Sequence, residues 1–340
     1  MYVNWLNRKT PDFNRVQSLL DDSVRKNHFT NSGPLSKKLE DFLREELEIK
    51  DSKIVRATAS GTAALHALVE GIRLYHGKQI EFSTHAWTFP SAVIGPLSGT
   101  QIVDLTPDFD VDLTEVSDDA VGLIVTNPFG YLMDLDKHQE WARKKGKILI
   151  YDNAAAPLSF KNTGKFVGTN SLNFGDGSFI SLHQTKSLGF GEGGLLVADK
   201  KYEESIDRAM NFGFGQERIW TPNSSNYRMS DISAAFIYDH VERNIEKIKI
   251  HSANLEEAFT QVCEHNGWQK MANRAGDWCL LGSLVFFTED EKIKNLDNFE
   301  WKKYYKPLQP KTNAENFFSK VFCLPCHLEV SIYDVKSLMK

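Results

Sequence analysis

The sequence predicts an α/β protein, with a large domain built around a mostly parallel central sheet flanked by helices and a smaller C-terminal α+β domain. Three observations lead there. The chain has 340 residues, enough for one large core and a second, smaller one. From Ile54 to Asp199 short apolar runs alternate with amphipathic stretches, as expected when strands and helices are layered. After about Ser230 the alternation gives way to one long helical stretch and then to more polar, less regular segments. The boundary is therefore expected near residue 240, with a large domain over 1–240 and a small one over 241–340.

The elements follow in chain order. A helix is expected over Leu35–Glu46, with Pro34 in its first turn, where a missing N–H removes no helical hydrogen bond. This N-terminal segment is grouped with the large domain, although it has the freedom to pack across either. In Ala63–Leu74, residues Ala64, Leu65, Leu68, Val69 and Ile72 share one helical face. Ile80–Ser83, Val121–Val125, Lys147–Tyr151, Ser178–Leu182 and Gly194–Ala198 read as strands. Apolar runs this continuous suit a parallel sheet covered on both faces. Leu135–Lys145 reads as a helix between two of them. Asp231–Ile250 reads as a long helix, with strands near Leu280–Phe287 and Val321–Leu324 beyond it.

Composition excludes several function classes. Charged residues make up 25% and the net charge is -5, so the basic footprint of a nucleic-acid binder is missing. The N-terminal Met1–Lys9 has no apolar core of a signal peptide, and no run approaches a membrane span. A cytoplasmic protein is expected. Four cysteines are too few for a disulfide scaffold. Cys323 and Cys326 form a C-x-x-C, but Cys263 and Cys279 supply no second pair. Two thiols on a strand are expected there, and no metal site.

Four local features fall where ligands bind in α/β sheets, at the carboxyl ends of strands. Ala59-Ser60-Gly61-Thr62 opens the Ala63–Leu74 helix. Free N–H groups, hydroxyls and the helix dipole make an anion site there, although Ser and Thr are equally the residues of an ordinary helix cap. The strand Ile148-Leu149-Ile150-Tyr151 ends in Asp152, a carboxylate able to keep a ligand cation protonated or simply to cap a turn. Lys186 follows the strand end in Ser181-Leu182-His183-Gln184-Thr185-Lys186. A lysine amine is nucleophilic only when deprotonated, and burial favours that form; a solvated surface lysine is the plainer alternative. Gly189-Phe190-Gly191-Glu192-Gly193-Gly194 precedes a strand rather than opening a helix. That order rules out a dinucleotide fingerprint and suggests a turn folding back beside Lys186.

Together these motifs resemble the DegT/DnrJ/EryC1/StrS family of aminotransferases, enzymes of fold type I that use pyridoxal 5′-phosphate (PLP). The resemblance runs from about Asn27 to Phe236, with a weaker echo over Val321–Leu338. It is carried by Asn27–Pro34, Ser60–Leu65, Trp87-Thr88-Phe89, Asp152, Ser181–Lys186, Gly191–Gly194 and Asn226-Tyr227-Arg228-Met229. The resemblance implies Lys186 as the Schiff-base lysine and Asp152 as the partner of the pyridinium nitrogen. It implies Trp87 as the aromatic stacked on the ring, and Ser60, Gly61, Thr62 and Ser181 as the phosphate cradle. Asn226 matches a residue that reaches the phosphate of a neighbouring subunit, which implies a homodimer with shared active sites. His183 and Arg228 are candidates for the substrate side.

The implied reaction moves an amino group from a donor, L-glutamate, to a nucleotide-linked keto sugar. Two departures stand out. The family places Gln or His three residues after the aspartate, and here that residue is Ala155, within Asp152-Asn153-Ala154-Ala155-Ala156; Asn153 is a candidate to compensate. The C-terminal region is also shorter than in most members. A non-nucleotide acceptor, or a PLP-binding regulator without activity, are the alternatives these departures leave open.

Overall fold

The computed structural model describes residues 2–155, 158–162, 166–274, 278–290, 293 and 295–339. Ala156 and the side chain of Cys279 lie outside the described residues. Two short helices, α1 (Phe13–Leu19) and α2 (Asp21–Lys26), precede α3 (Pro34–Glu46). Leu35, Leu39 and Leu43 recur every fourth residue in α3 and are buried, the stripe that fixes a helix on a core.

The chain then forms β1 (Lys53–Thr58), α4 (Gly61–His76), β2 (Phe82–His85), β3 (Gln101–Val103), β4 (Gly122–Thr126), α5 (Leu135–Lys145) and β5 (Ile148–Asp152). A hairpin of β6 (Leu158–Asn162) and β7 (Phe166–Asn170) leads to β8 (Gly177–Ser181) and β9 (Gly194–Asp199). Seven of these strands make the main sheet, in the order β1-β9-β8-β5-β4-β2-β3. β8, β5, β4, β2 and β3 pair in parallel, whereas β9 is antiparallel to both of its neighbours. The mostly parallel sheet is therefore as expected, with β9 alone reversed. Strands β1, β3 and the β6–β7 hairpin were not anticipated, and Ile80–Ser83 is realised two residues later as β2.

Local chemistry sets the helix ends. Ser60 starts α4 by accepting the Ala63 N–H at 3.1 Å, and Gly77 ends it at φ +64°, a conformation that favours glycine. Asp134 and Gly146 play the same parts for α5. α4 packs against β8 so closely that a Cβ on Gly177 would lie 2.6 Å from Leu68 Cδ1.

After α6 (Glu203–Ala209) comes α7 (Asp231–Asn266), 36 residues without Gly or Pro. It runs past the expected end at Ile250 because Leu255, Ala258, Phe259 and Val262 prolong its buried stripe. Its first half packs with α3, β1 and β9 in one core, through Ala234, Ile237 and Val241. Its second half packs in another core against β12 (Leu284–Phe287) and β13 (Val321–Leu324), which follow β10 (Gln269–Lys270) and β11 (Trp278–Cys279). β10, β12 and β13 form a three-stranded antiparallel sheet, and β11 joins β6 and β7 in another. α8 (Thr312–Lys320) precedes β13 and α9 (Ile332–Lys336) follows it. The first residues cross to this C-terminal part, where Val3 pairs with Phe299. Cys323 lies on β13 and Cys326 just after it, both buried and unpaired. Among the described residues no helix is long and apolar enough to cross a membrane.

Candidate active site

The carboxyl ends of β1, β2, β4, β5 and β8 open on one edge of the sheet, above a cavity of about 350 Å³. One end of the cavity is formed by Ser60, Gly61 and Thr62 at the N-terminus of α4. Two glycines let this turn sit low. A Cβ on Gly61 would meet Ser181 Cβ at 3.0 Å, and a Cβ on Gly194 would fall 2.4 Å from the Ser60 carbonyl oxygen. The result is a cradle of backbone N–H groups and hydroxyls at the positive end of a helix dipole, which suits an anion.

Asp152 stands elsewhere on the cavity wall, at the end of β5 and 2% exposed. Burial pushes its carboxyl up to about 6, although the Ala154 N–H, the Lys186 amine and the Thr126 hydroxyl all favour the ionised form. A carboxylate so placed gains most from a cation brought against it. Lys186 reaches the same cavity from the loop after β8. Its side chain stays open to the cavity, but the cavity lies deep in the protein, and that depth lowers its amine pKa; Asp152 works in the opposite direction.

The Gly-rich stretch folds back beside Lys186. Leu182 N–H donates to Gly193 at 2.8 Å, Gln184 N–H to Gly191 at 2.8 Å, and Lys186 N–H to His183 at 2.8 Å. Gly191 takes φ +63° at the turn. His183 lines the cavity with its Nε2 3.5 Å from Glu192 Oε1.

The structure places Trp87 away from the cavity. Trp87 is fully buried and does not line the cavity. Its ring packs among Phe129 at 5.5 Å, Phe317 at 5.8 Å, Phe287 at 6.1 Å and Phe109 at 6.2 Å, at the junction between the main sheet and the C-terminal part. Phe89, two residues on, is 54% exposed and forms part of the cavity wall. It is the aromatic in position to cover a flat ring. Asn153, considered above as compensating for Ala155, does not line the cavity either. Its amide is buried, accepting from Asn127 and donating to Ser178, both at 2.6 Å. Ala155 does line the cavity, close to Gly282.

Asn226 and Arg228 lie outside this cavity. Arg228 donates to Asn226 at 3.1 Å, and residue 228 pairs with Thr58 at the end of β1. Asn226 is exposed. Beyond the residues read from the sequence, the cavity gains Thr126, whose position on β4 is paired with Asp152, and Tyr305, stacked on Phe129 at 5.2 Å. Thr126 was findable as the polar end of an apolar strand; no pattern in the sequence marked Tyr305.

The DegT/DnrJ/EryC1/StrS aminotransferase family matches residues 12–340. The chain belongs to that family. A dTDP-4-amino-4,6-dideoxy-D-glucose transaminase of Shigella dysenteriae is 27% identical over 339 residues, covering 89% of this chain and 88% of the relative. A UDP-4-amino-4,6-dideoxy-N-acetyl-beta-L-altrosamine transaminase of Campylobacter jejuni is 23% identical, covering 92% and 89%. The solved structure of Helicobacter pylori PseC, an aminotransferase involved in the biosynthesis of pseudoaminic acid, superposes with a TM-score of 0.79 at 17% identity, covering 100% of this chain and 97% of that one. The fold is thus that of the PLP-dependent transferases, and this aminotransferase takes PLP as its cofactor. The site suits that molecule. The cradle that a Cβ on Gly61 or Gly194 would fill accepts a phosphate, and the buried Asp152 carboxyl calls for a cationic ring nitrogen. The Lys186 amine, its pKa lowered by burial, matches an aldehyde.

Proposed function

We propose that this aminotransferase moves an amino group from L-glutamate to a nucleotide-linked keto sugar, with Lys186 as the covalent anchor of PLP. One observation carries the reading: Lys186, Asp152 and the Ser60-Gly61-Thr62 turn meet in one cavity. When bound, PLP supplies a protonated ring that accepts the electrons left when an adjacent carbon loses its proton. Asp152 holds the proton on the ring nitrogen, and the buried setting that raises its own pKa strengthens that pairing. Gly61 and Thr62 bind the phosphate through their N–H groups, with the Ser181 hydroxyl beside them. Phe89 covers the ring face and keeps water from it. Lys186 Nζ would hold and move the proton of the step, taking it from the donor's α-carbon and releasing it again within the same cavity. Its lowered pKa keeps more of the amine neutral for that task.

The acceptor reading is supported by relatives named as transaminases of dTDP- and UDP-linked amino sugars and as GDP-perosamine synthases. We further propose that the protein acts as a homodimer, with Asn226 and Arg228 completing the site of a second copy. Their place outside the cavity of their own chain supports this, as do the exposed Phe212, Ile219 and Trp220 between α6 and α7. The division into a large part over 1–240 and a small part over 241–340 belongs to the same proposal, with the join carried inside α7.

The test uses purified, PLP-loaded protein. Borohydride should fix PLP on the Lys186 peptide. L-glutamate should bleach the yellow protein and release 2-oxoglutarate, and dTDP- or UDP-linked keto sugars should restore the colour as they are aminated. Colour that no amino donor changes would point to a binding protein without activity. Amination of free cyclitols or ketones, but of no nucleotide sugar, would overturn the acceptor.

A further inference from the structure

The loop that carries Lys186 is held from behind by a side chain far away in sequence. Lys9 Nζ donates to three backbone carbonyls of that loop: Gln184 at 2.9 Å, Lys186 itself at 2.7 Å and Gly189 at 2.5 Å. An ammonium has three N–H donors, so three carbonyls of one tight turn satisfy all of them. We propose that Lys9 is a positioning residue, whose ammonium pins the backbone of residues 184–189 and so fixes where the Lys186 amine enters the cavity.

Other contacts give the arrangement its stiffness. His240 lies within hydrogen-bond reach of the Ser187 carbonyl at 3.0 Å, and Ser187 Oγ donates to Leu281 at 2.9 Å. The turn is therefore held on several sides, with Lys9 binding more of its carbonyls than either. Lys9 is itself anchored. The strand-like N-terminal segment pairs Val3 with Phe299, Trp5 N–H donates to Glu300 at 2.9 Å, and Arg243 donates to the Thr10 carbonyl at 2.9 Å. Burial lowers the Lys9 ammonium to about 8, the consequence of committing a charge to an interior position where carbonyl dipoles replace water. A lysine placed only to fill space would not need to aim its head at three oxygens of one turn.

A Lys186 that acts both as covalent anchor and as proton carrier must return to the same place in each turnover. The segment 184–189 is polar apart from Leu188 and ends in Gly189, so it has little stiffness of its own. The proposal rests on the reading of Lys186 given above, and the experiment separates the two. Lys9→Met keeps the length and removes every donor; Lys9→Arg keeps donors and charge. Hydrogen exchange is measured first on the protein freed of PLP. In Lys9→Met the amides of residues 184–190 should exchange at least ~10-fold faster than in the wild type, with β4 and β5 unchanged and Lys9→Arg in between. The yield of PLP fixed to Lys186 by borohydride should fall in the same order.

Exchange in 184–190 within about twofold of the wild type for Lys9→Met would overturn the proposal. So would equal acceleration throughout the chain, or an Arg variant as open as the Met variant. If borohydride fixes PLP elsewhere, the assignment of Lys186 fails, while the exchange data still decide whether Lys9 restrains the turn.

Discussion

Lys186 and Asp152 face one buried cavity, so replacing either changes the field felt by the other. Lys186→Ala should leave the fold intact and lose all borohydride-fixed PLP, read by mass spectrometry and circular dichroism. Asp152→Asn should keep the cofactor and lower kcat at least ~100-fold, because the ring nitrogen is no longer held protonated. The carboxyl also leaves a signature without PLP. Its folded pKa of about 6 lies above the ordinary value near 4. The folded state therefore binds a proton that the unfolded chain releases between those values, so stability is lowest above pH 6 and recovers as pH falls through 6 towards 4. The melting temperature of the PLP-free protein should rise over that window, and Asp152→Asn should remove the Asp152 share of the rise. The two aromatics separate by another measurement. Trp87→Ala should destabilise the fold by about 3–5 kcal/mol through the cavity it leaves, while Phe89→Ala should leave stability nearly unchanged and weaken PLP binding. That Lys186 and Asp152 line one cavity was legible in the sequence because Asp152 ends a recognisable strand and Lys186 follows another. The choice between Trp87 and Phe89 was not. The burial of Trp87 depends on Phe287 and Phe317, some two hundred residues further on, which draw the indole into their own core.

Among the elements, the turn between β1 and α4 depends on β9 as much as on its own residues. Gly194→Ala places a methyl against the Ser60 carbonyl, which must push the turn out of line. This variant should bind PLP more weakly at little change in Lys186 labelling, whereas Gly77→Ala, at the far end of the same helix, should affect stability alone. The backbone at Gly77 is left-handed and nothing lies within 4 Å of an added Cβ, so a modest loss of about 1 kcal/mol is expected. The helices that cover the main sheet were legible from periodicity and caps, and α5 matches its expected range. The β6–β7 hairpin was not, because its short strands lack an apolar run and, among the described residues, pair with each other and with β11 rather than with the main sheet. Nor was the far end of α7, whose register is set by the second core rather than by any break in the helix.

For the whole molecule, the shared-site proposal makes an arithmetic prediction. Lys186→Ala and Asn226→Ala proteins should each be inactive. Mixed as subunits, they should recover roughly a quarter of wild-type activity, since half the dimers are mixed and each mixed dimer holds one intact site. No recovery, with mixed dimers shown by native mass spectrometry, would place Asn226 outside the site. The change of pattern after Ser230 was legible in the sequence, but not the way one helix contributes to two cores. α7 spans both cores as one helix about 54 Å long, with no glycine or proline to bend at. It behaves as a beam to which the main sheet and the small sheet are both fastened. A machine built on such a beam admits its substrate without folding its two ends together. Small-angle scattering curves recorded with and without PLP and a nucleotide sugar should therefore superpose, and any gating belongs to the loops at the cavity mouth around Phe89 and Tyr304.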